Sequence, residues 1–221
     1  MDVKEILSRC DHTLLAQSAA WPQIKTLCDE ARDHQTACAC IPPAFVRRAA
    51  DYVGNTLKLC TVIGFPNGYS TTAVKVFETE DAIRGGADEI DMVANLGMVK
   101  EGRWEELLTE LKAVKASCGG RILKVIAETC FLTEGEKIRL CDLVSRSGAE
   151  YIKTSTGFGG GGATLEDVAL FRAHADRRVK IKAAGGIRSL EVAEAFLRAG
   201  ADRLGASALV GLAKQRPELF R

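Results

Sequence analysis

Histidine is nearly missing from this 221-residue chain, which has only His12, His34 and His174. No two of them stand at ligand spacing and no C-x-x-C pair occurs, so a metal-dependent mechanism is disfavoured. Net charge is nearly missing too: 30 Lys and Arg against 29 Asp and Glu leave +1. That removes the electrostatic case for nucleic acid or an anionic membrane surface as the main partner. No apolar run approaches the roughly 20 residues that span a bilayer. The opening stretch, MDVKEILSRCDHTLL, mixes charge with apolar residues and lacks the continuous core of a secretory signal. These absences predict a cytoplasmic protein whose partner is a small molecule.

Cysteine, by contrast, occurs at 10, 28, 38, 40, 60, 118, 130 and 141. The residues sit mostly in apolar segments such as ACACI and KLCTVIG, as reduced, buried small hydrophobes do in a cytosolic chain. Cys38 and Cys40, at strand spacing, point to one face, but zinc would need further ligands beside them.

Short β-branched or apolar runs alternate with longer amphipathic stretches. Strands are expected at CDHT (10–13), ACACI (37–41), KLCTVIG (58–64), EIDMVAN (89–95), LKVIAET (123–129), YIKTST (151–156), VKIKAAG (179–185) and DRLGAS (202–207). Between them lie helical patterns, such as 103–116 with Trp104, Leu107, Leu108, Leu111 and Val114 on one face. Thr133-x-x-Glu136 and Thr164-x-x-Asp167 have capping-box spacing. A weak repeat, GADEID (86–91), GAEYIK (148–153) and GADRLG (200–205), places a helix-ending glycine, an alanine and an acid before a strand. Eight βα units without a linker predict one (β/α)8 TIM barrel domain over 1–221. An open doubly wound sheet is the alternative, weakened by the lack of an early G-x-G-x-x-G turn.

Alternate strand residues share a face. With Ile90, Met92, Val125, Ala127, Ile152, Ile181 and Ala183 turned to the helices, Asp91, Lys124, Lys153 and Lys182 point into the barrel. One such charge taken alone is usually solvated at a strand end. Four on neighbouring strands are different, because an unpaired buried ammonium costs several kcal/mol. A lysine attacks carbonyls only as the neutral amine, and desolvation and a second ammonium both favour that form. Such an amine forms a Schiff base, while the remaining lysine and the aspartate move protons. A lysine anchoring pyridoxal phosphate is the competing use.

Glycine-rich turns follow the last three strands: TGFGGGG, AGGIRS (184–189) and LGAS (204–207). Barrels often bind phosphate there, because glycine lets backbone N–H groups approach the oxygens. Arg188 reads as a surface or helix-start residue, not a phosphate ligand. Gly159 to Gly162 read as slack that lets the loop reach the helix at Thr164.

The segments VIGFPNG, DEIDMVANLGMVKEGRW, LKVIAETC, YIKTSTGFGGGGATLEDV, IKAAGGIRS and ADRLGASALV together resemble deoxyribose-phosphate aldolases, from about residue 10 to 210. The resemblance implies a class I aldolase with no metal and no cofactor, cleaving 2-deoxy-D-ribose 5-phosphate reversibly to D-glyceraldehyde 3-phosphate and acetaldehyde. It makes Lys153 the Schiff-base lysine, Lys182 the second lysine that favours neutral Lys153 and joins the proton relay, and Asp91 the group activating a relay water. Lys124 and Asp11 support this network. Thr156 holds the substrate's hydroxyl end, and phosphate rests on Gly157, Phe158, Gly185, Gly186, Gly205 and the Ser207 hydroxyl. Exposed apolar helix faces leave room for a homodimer or homotetramer. Two other readings stay open: a Schiff-base barrel acting on another sugar phosphate, and a catalytically silent phosphate-ligand binder.

Three departures stand out. Ala208 follows Ser207 where members often carry a second serine. Pro42 precedes Pro43 where many carry asparagine or tyrosine. The chain ends PELFR, with no tyrosine after Tyr151 to assist proton transfer.

Overall fold

The structure is a computed structural model that describes residues 1–215. Eight parallel strands close into a barrel in chain order, β8 pairing with β1. They are β1 (Cys10–Thr13), β2 (Cys38–Ile41), β3 (Leu59–Ile63), β4 (Glu89–Val93), β5 (Ile122–Ile126), β6 (Tyr151–Lys153), β7 (Lys180–Ala184) and β8 (Arg203–Ala206). Around them lie α1 (Val3–Ser8), α2 (Trp21–Asp33), α3 (Val46–Val53), α4 (Thr72–Arg84), α5 (Leu96–Lys100), α6 (Trp104–Ser117), α7 (Glu134–Ser147), α8 (Leu165–His174), α9 (Leu190–Arg198) and α10 (Leu209–Lys214). The expected (β/α)8 barrel is the fold. Among the described residues, no helix is long and apolar enough to cross a membrane.

The repeat at 86, 148 and 200 acquires a physical meaning. Gly86, Gly148 and Gly200 all have φ between 85° and 110°, which a Cβ would penalise. The acid two residues later then stitches its strand to the preceding one. Asp88 accepts from Leu59 N at 2.9 Å, Glu150 from Leu123 N at 2.8 Å and Asp202 from Ile181 N at 2.8 Å. The backbone N–H of each acid returns a bond to the same residue's carbonyl. Each stitch satisfies the donor at the start of an odd-numbered strand and fixes the register of the pair.

Capping chemistry follows the sequence in one case and half of it in the other. Thr133 and Glu136 form the full reciprocal box at the start of α7. Thr164 caps α8 by accepting from Asp167 N at 3.0 Å, but the Asp167 carboxylate pairs with Lys137 of α7 at 2.6 Å instead. An aspartate has one methylene fewer with which to reach back.

Ile90, Met92, Val125, Ala127, Ile152, Ile181 and Ala183 are fully buried in the main core with the helices, as parity requires. The interior is divided. On the β2–β3 side Cys38, Cys40, Cys60 and Val62 form a separate apolar cluster, and the charges fill the rest. Seven of the eight cysteines are buried and free, and Cys130 is exposed. One ion pair was not expected: Glu110 of α6 is fully buried against Lys75 of α4 at 2.6 Å, and Lys75 also donates to Val93 O at 2.9 Å. A buried pair survives only when such extra bonds offset its desolvation. This one anchors two helices to the C-terminal end of β4.

Strand β6 is shorter than expected, ending at Lys153 rather than Thr156. Thr154 N still donates to Lys182 O at 3.0 Å, but its Oγ1, 3.1 Å from both Ala184 N and Ala184 O, takes the place of its carbonyl toward β7. The chain can then leave the barrel wall.

Candidate active site

The interior charges meet on one carboxylate. Asp91 Oδ2 lies 2.7 Å from Lys153 Nζ and 2.7 Å from Lys182 Nζ, while Oδ1 takes Lys124 Nζ at 2.8 Å. Adjacent strands supply the four residues, with Asp91 opposite Lys124 and Lys153 opposite Lys182 in register. Lys182 also bonds Asp11 Oδ2, and Arg203 holds the other Asp11 oxygen at 2.7 Å. The structure thus brings together Lys153, Lys182, Asp91, Lys124 and Asp11.

Burial by itself would raise the Asp91 carboxyl, but Lys124, Lys153 and Lys182 hold it well below the usual carboxylate range. Asp11 follows the same pattern, with burial opposed by Lys182, Lys124 and Arg203. Burial would lower the Lys182 ammonium, yet Asp11 and Asp91 outweigh it and raise its pKa well above the ordinary value. Lys124 is raised likewise, with Asp91 the strongest opponent of burial. Both aspartates are therefore ionised, and Lys124 and Lys182 are cations.

Metal-ligand groups are closer together than the sequence suggested. Ligand atoms of Asp11, Cys38, Cys60 and Glu89 lie within 4.8 Å of one another, as do those of Cys40, Cys60 and Asp91. Lys124 Nζ is 3.4 Å from Asp11, 3.2 Å from Cys60 Sγ, 2.7 Å from Glu89 and 2.8 Å from Asp91. Its ammonium already serves as the cluster's cation. Glu89 meets Lys124 at ion-pair distance without hydrogen-bond geometry, and burial raises its carboxyl despite that neighbour.

Above this network opens a cavity of about 420 Å³, a size suited to small molecules. Lys153 lines it and is 3% exposed, whereas Asp91, Lys182 and Lys124 are wholly buried behind it. Lys153 is thus the one amine of the cluster at the cavity floor. Thr156, Gly157, Phe158, Gly185, Gly186, Gly205 and Ser207 also line the cavity. Among the described residues, the N–H groups of Gly157, Gly185, Gly186 and Ser207 have no intramolecular partner. Gly205 leaves room for the lysine: a Cβ there would sit 3.1 Å from Lys182 Cε.

Two of the expected binding groups are already engaged. Phe158 N donates to Thr156 Oγ1 at 2.9 Å, and the Thr156 hydroxyl donates to Glu128 Oε2. Phe158 instead offers its ring, half-exposed and edge-on to Phe65 with centroids 5.3 Å apart. Arg188 is exposed, as expected of a residue next to the α9 cap, but it lines the cavity wall as well. Pro42 is not among the lining residues and opens a 3-10 turn, while Ala208 gives α10 no side-chain cap. The chain end without tyrosine lies outside the described residues.

The glycine run is not slack. A Cβ at Gly159 would lie 2.8 Å from the Glu128 carboxyl group, one at Gly161 2.5 Å from Cys130 Cβ, and one at Gly162 2.5 Å from Gly185 O. Gly157 and Gly160 have φ of 87° and 85°. The loop packs tightly against the β5 and β7 loops.

Sequence reading missed Arg203 as a member of the site and Glu128 as the residue that holds Thr156 from behind it. Arg203 shares strand parity with Gly205, a signal that could have placed it inside. Glu128 has the parity of Lys124 in the expected strand 123–129, but β5 ends at Ile126 and the Glu128 carboxylate goes to Thr156.

A profile of the DeoC/LacD family aldolases matches residues 6–216. The deoxyribose-phosphate aldolase of Streptococcus pyogenes serotype M4 is 58% identical over 214 residues, 97% of this chain and 96% of that one. That of Streptococcus agalactiae serotype Ia is 56% identical over 216 residues, 98% of this chain and 97% of its own. Among solved structures, a putative deoxyribose-phosphate aldolase from Coccidioides immitis superposes with a TM-score of 0.94 at 41% identity, covering 98% of this chain and 87% of that one. The deoxyribose phosphate aldolase of Aeropyrum pernix gives 0.90 at 32% identity, covering 98% and 93%. The chain belongs to the DeoC/LacD family of aldolases.

Proposed function

We infer that this chain cleaves 2-deoxy-D-ribose 5-phosphate to D-glyceraldehyde 3-phosphate and acetaldehyde, through a Schiff base on Lys153. The observation that carries the reading is the position of Lys153, the one cavity-lining amine of a buried cluster built on Asp91. Lys153 shares the Asp91 carboxylate with cationic Lys182 and borders the cavity, and as the free amine, its proton passed to that cavity, it is the nucleophile.

Neutral Lys153 attacks C1 of the open-chain aldehyde, and loss of water gives an iminium. A two-carbon product requires the break at C2–C3, the bond between the carbons α and β to the imine carbon, whose electron pair the iminium can accept. The C3 hydroxyl gives up its proton, the C2–C3 electron pair enters the enamine, and glyceraldehyde 3-phosphate leaves. The enamine is protonated at C2, and water hydrolyses the iminium to acetaldehyde and free Lys153. Asp91, with a water, takes the hydroxyl proton, and cationic Lys182 serves the relay that returns one to carbon. Unpaired backbone donors at Gly157, Gly185, Gly186 and Ser207 hold the phosphate, and Arg188 adds charge at the rim. That remote grip orients C1 over the amine.

A homodimer or homotetramer in the cytoplasm completes the proposal. The assembly is supported by the Aeropyrum pernix relative, which is described as a tetramer. The decisive assay is acetaldehyde release from 2-deoxyribose 5-phosphate by protein dialysed against EDTA. Turnover unchanged by the chelator is expected. Cleavage of another sugar phosphate in preference would transfer the chain to a different Schiff-base aldolase, and loss of activity on dialysis would contradict the metal-free mechanism.

A further inference from the structure

Glu128 is one of two non-glycine residues, with Gln35, whose φ is positive among the described residues. Its backbone, at φ 50° and ψ 63°, is left-handed, a conformation that a side chain disfavours and glycine does not. The side chain is 2% exposed. Its Oε1 accepts from Thr156 N at 3.2 Å, and its Oε2 accepts from the Thr156 hydroxyl. Thr156 Oγ1 in turn accepts from Phe158 N. This relay brackets Gly157, whose own N–H is unpaired at the cavity wall. From the far side Gly159 presses on the same carboxylate, leaving no room for a Cβ. Glu128 does not line the cavity that Lys153 borders.

We propose that Glu128 is a positioning residue for the phosphate end of the substrate: acting through Thr156, its carboxylate fixes the loop after β6 so that Gly157 presents its N–H. The inference rests on the aldolase reading above and adds a residue that selects phosphorylated over unphosphorylated substrate. A carboxylate suits the task because it accepts from both Thr156 donors at once. A glutamine accepts with one atom only, and the hydroxyl must turn round to meet its amide.

The test compares 2-deoxyribose 5-phosphate with 2-deoxyribose. Glu128→Ala raises KM for the phosphorylated sugar at least tenfold, roughly, and leaves kcat within about threefold, because misplacing a binding group costs about that much or more. Turnover of 2-deoxyribose and trapping of acetaldehyde on Lys153 stay near wild type. Inorganic phosphate becomes a weaker competitive inhibitor by the same factor. Glu128→Gln lies between. Gly159→Ala tests the same contact with Glu128 in place: its methyl displaces the carboxylate from Thr156, and it shifts KM in the same direction. Equal losses on the two sugars, or an unchanged KM in Glu128→Ala and Gly159→Ala, overturn the proposal. Failure of the wild type to trap acetaldehyde would instead overturn the aldolase reading.

Discussion

Lys182→Leu lowers kcat/KM for 2-deoxyribose 5-phosphate by about 10³-fold, the range of a lost proton-transfer group, while the barrel still folds. The fold survives because neither carboxylate is left alone. Asp11 keeps Arg203 at 2.7 Å, and Asp91 keeps Lys124 at 2.8 Å and Lys153 at 2.7 Å. The leucine fills most of the volume of the lysine stem and carries no charge to desolvate. Lys182 does not border the cavity, so KM is expected to change less than kcat. Steady-state kinetics beside far-UV circular dichroism and a thermal melt check the two halves separately. Near-normal activity in a folded Lys182→Leu protein removes this residue from the mechanism.

Asp91→Asn damages both chemistry and fold. Its carboxylate is the common partner of three ammonium groups, and an amide of equal size carries no charge with which to hold them. Uncompensated buried charge of this kind costs about 3–5 kcal/mol. Activity falls by about 10²–10⁴-fold as the relay loses its base. The pH dependence has a definite sign. Asp91 is held below its unfolded value, so its stabilising contribution is complete above about pH 4 and is lost as pH falls through the depressed folded value. The stability gap between wild type and Asp91→Asn is therefore constant at neutral pH and narrows below about pH 4. Urea unfolding across that range measures it. A gap that widens on acidification would show that Asp91 is not ionised in the fold.

The parts of this architecture that follow local rules were legible in the sequence. Period-two alternation placed Asp91, Lys124, Lys153 and Lys182 in the interior, since one face of every strand must meet the helices. The Gly-Ala-acid repeat marked the entry to β4, β6 and β8. Contacts made by closure were less accessible. Arg203 reaches Asp11 across the β8–β1 seam, 192 residues away, and no local pattern announces that partner. Glu110 stands on α6 beside Leu107, Leu111 and Val114 of the buried face, and no local pattern announces Lys75, the partner on another helix that makes its burial possible. Glu128 shares the parity of Lys124 in the expected strand 123–129, yet its carboxylate goes to Thr156. Its direction depends on a left-handed backbone angle that a glutamate does not advertise. Gly159, Gly161 and Gly162 were misread because what each of them touches lies in a different loop.

The central claim is that Lys153, and no other amine of the cluster, bonds to the substrate carbon. Reduction with borohydride in the presence of acetaldehyde, followed by peptide mass mapping, tests it directly. The account predicts one N-ethyl group on the peptide carrying Lys153, with Lys124 and Lys182 unmodified. An adduct on either of those lysines, or none on Lys153 in active protein, would contradict it.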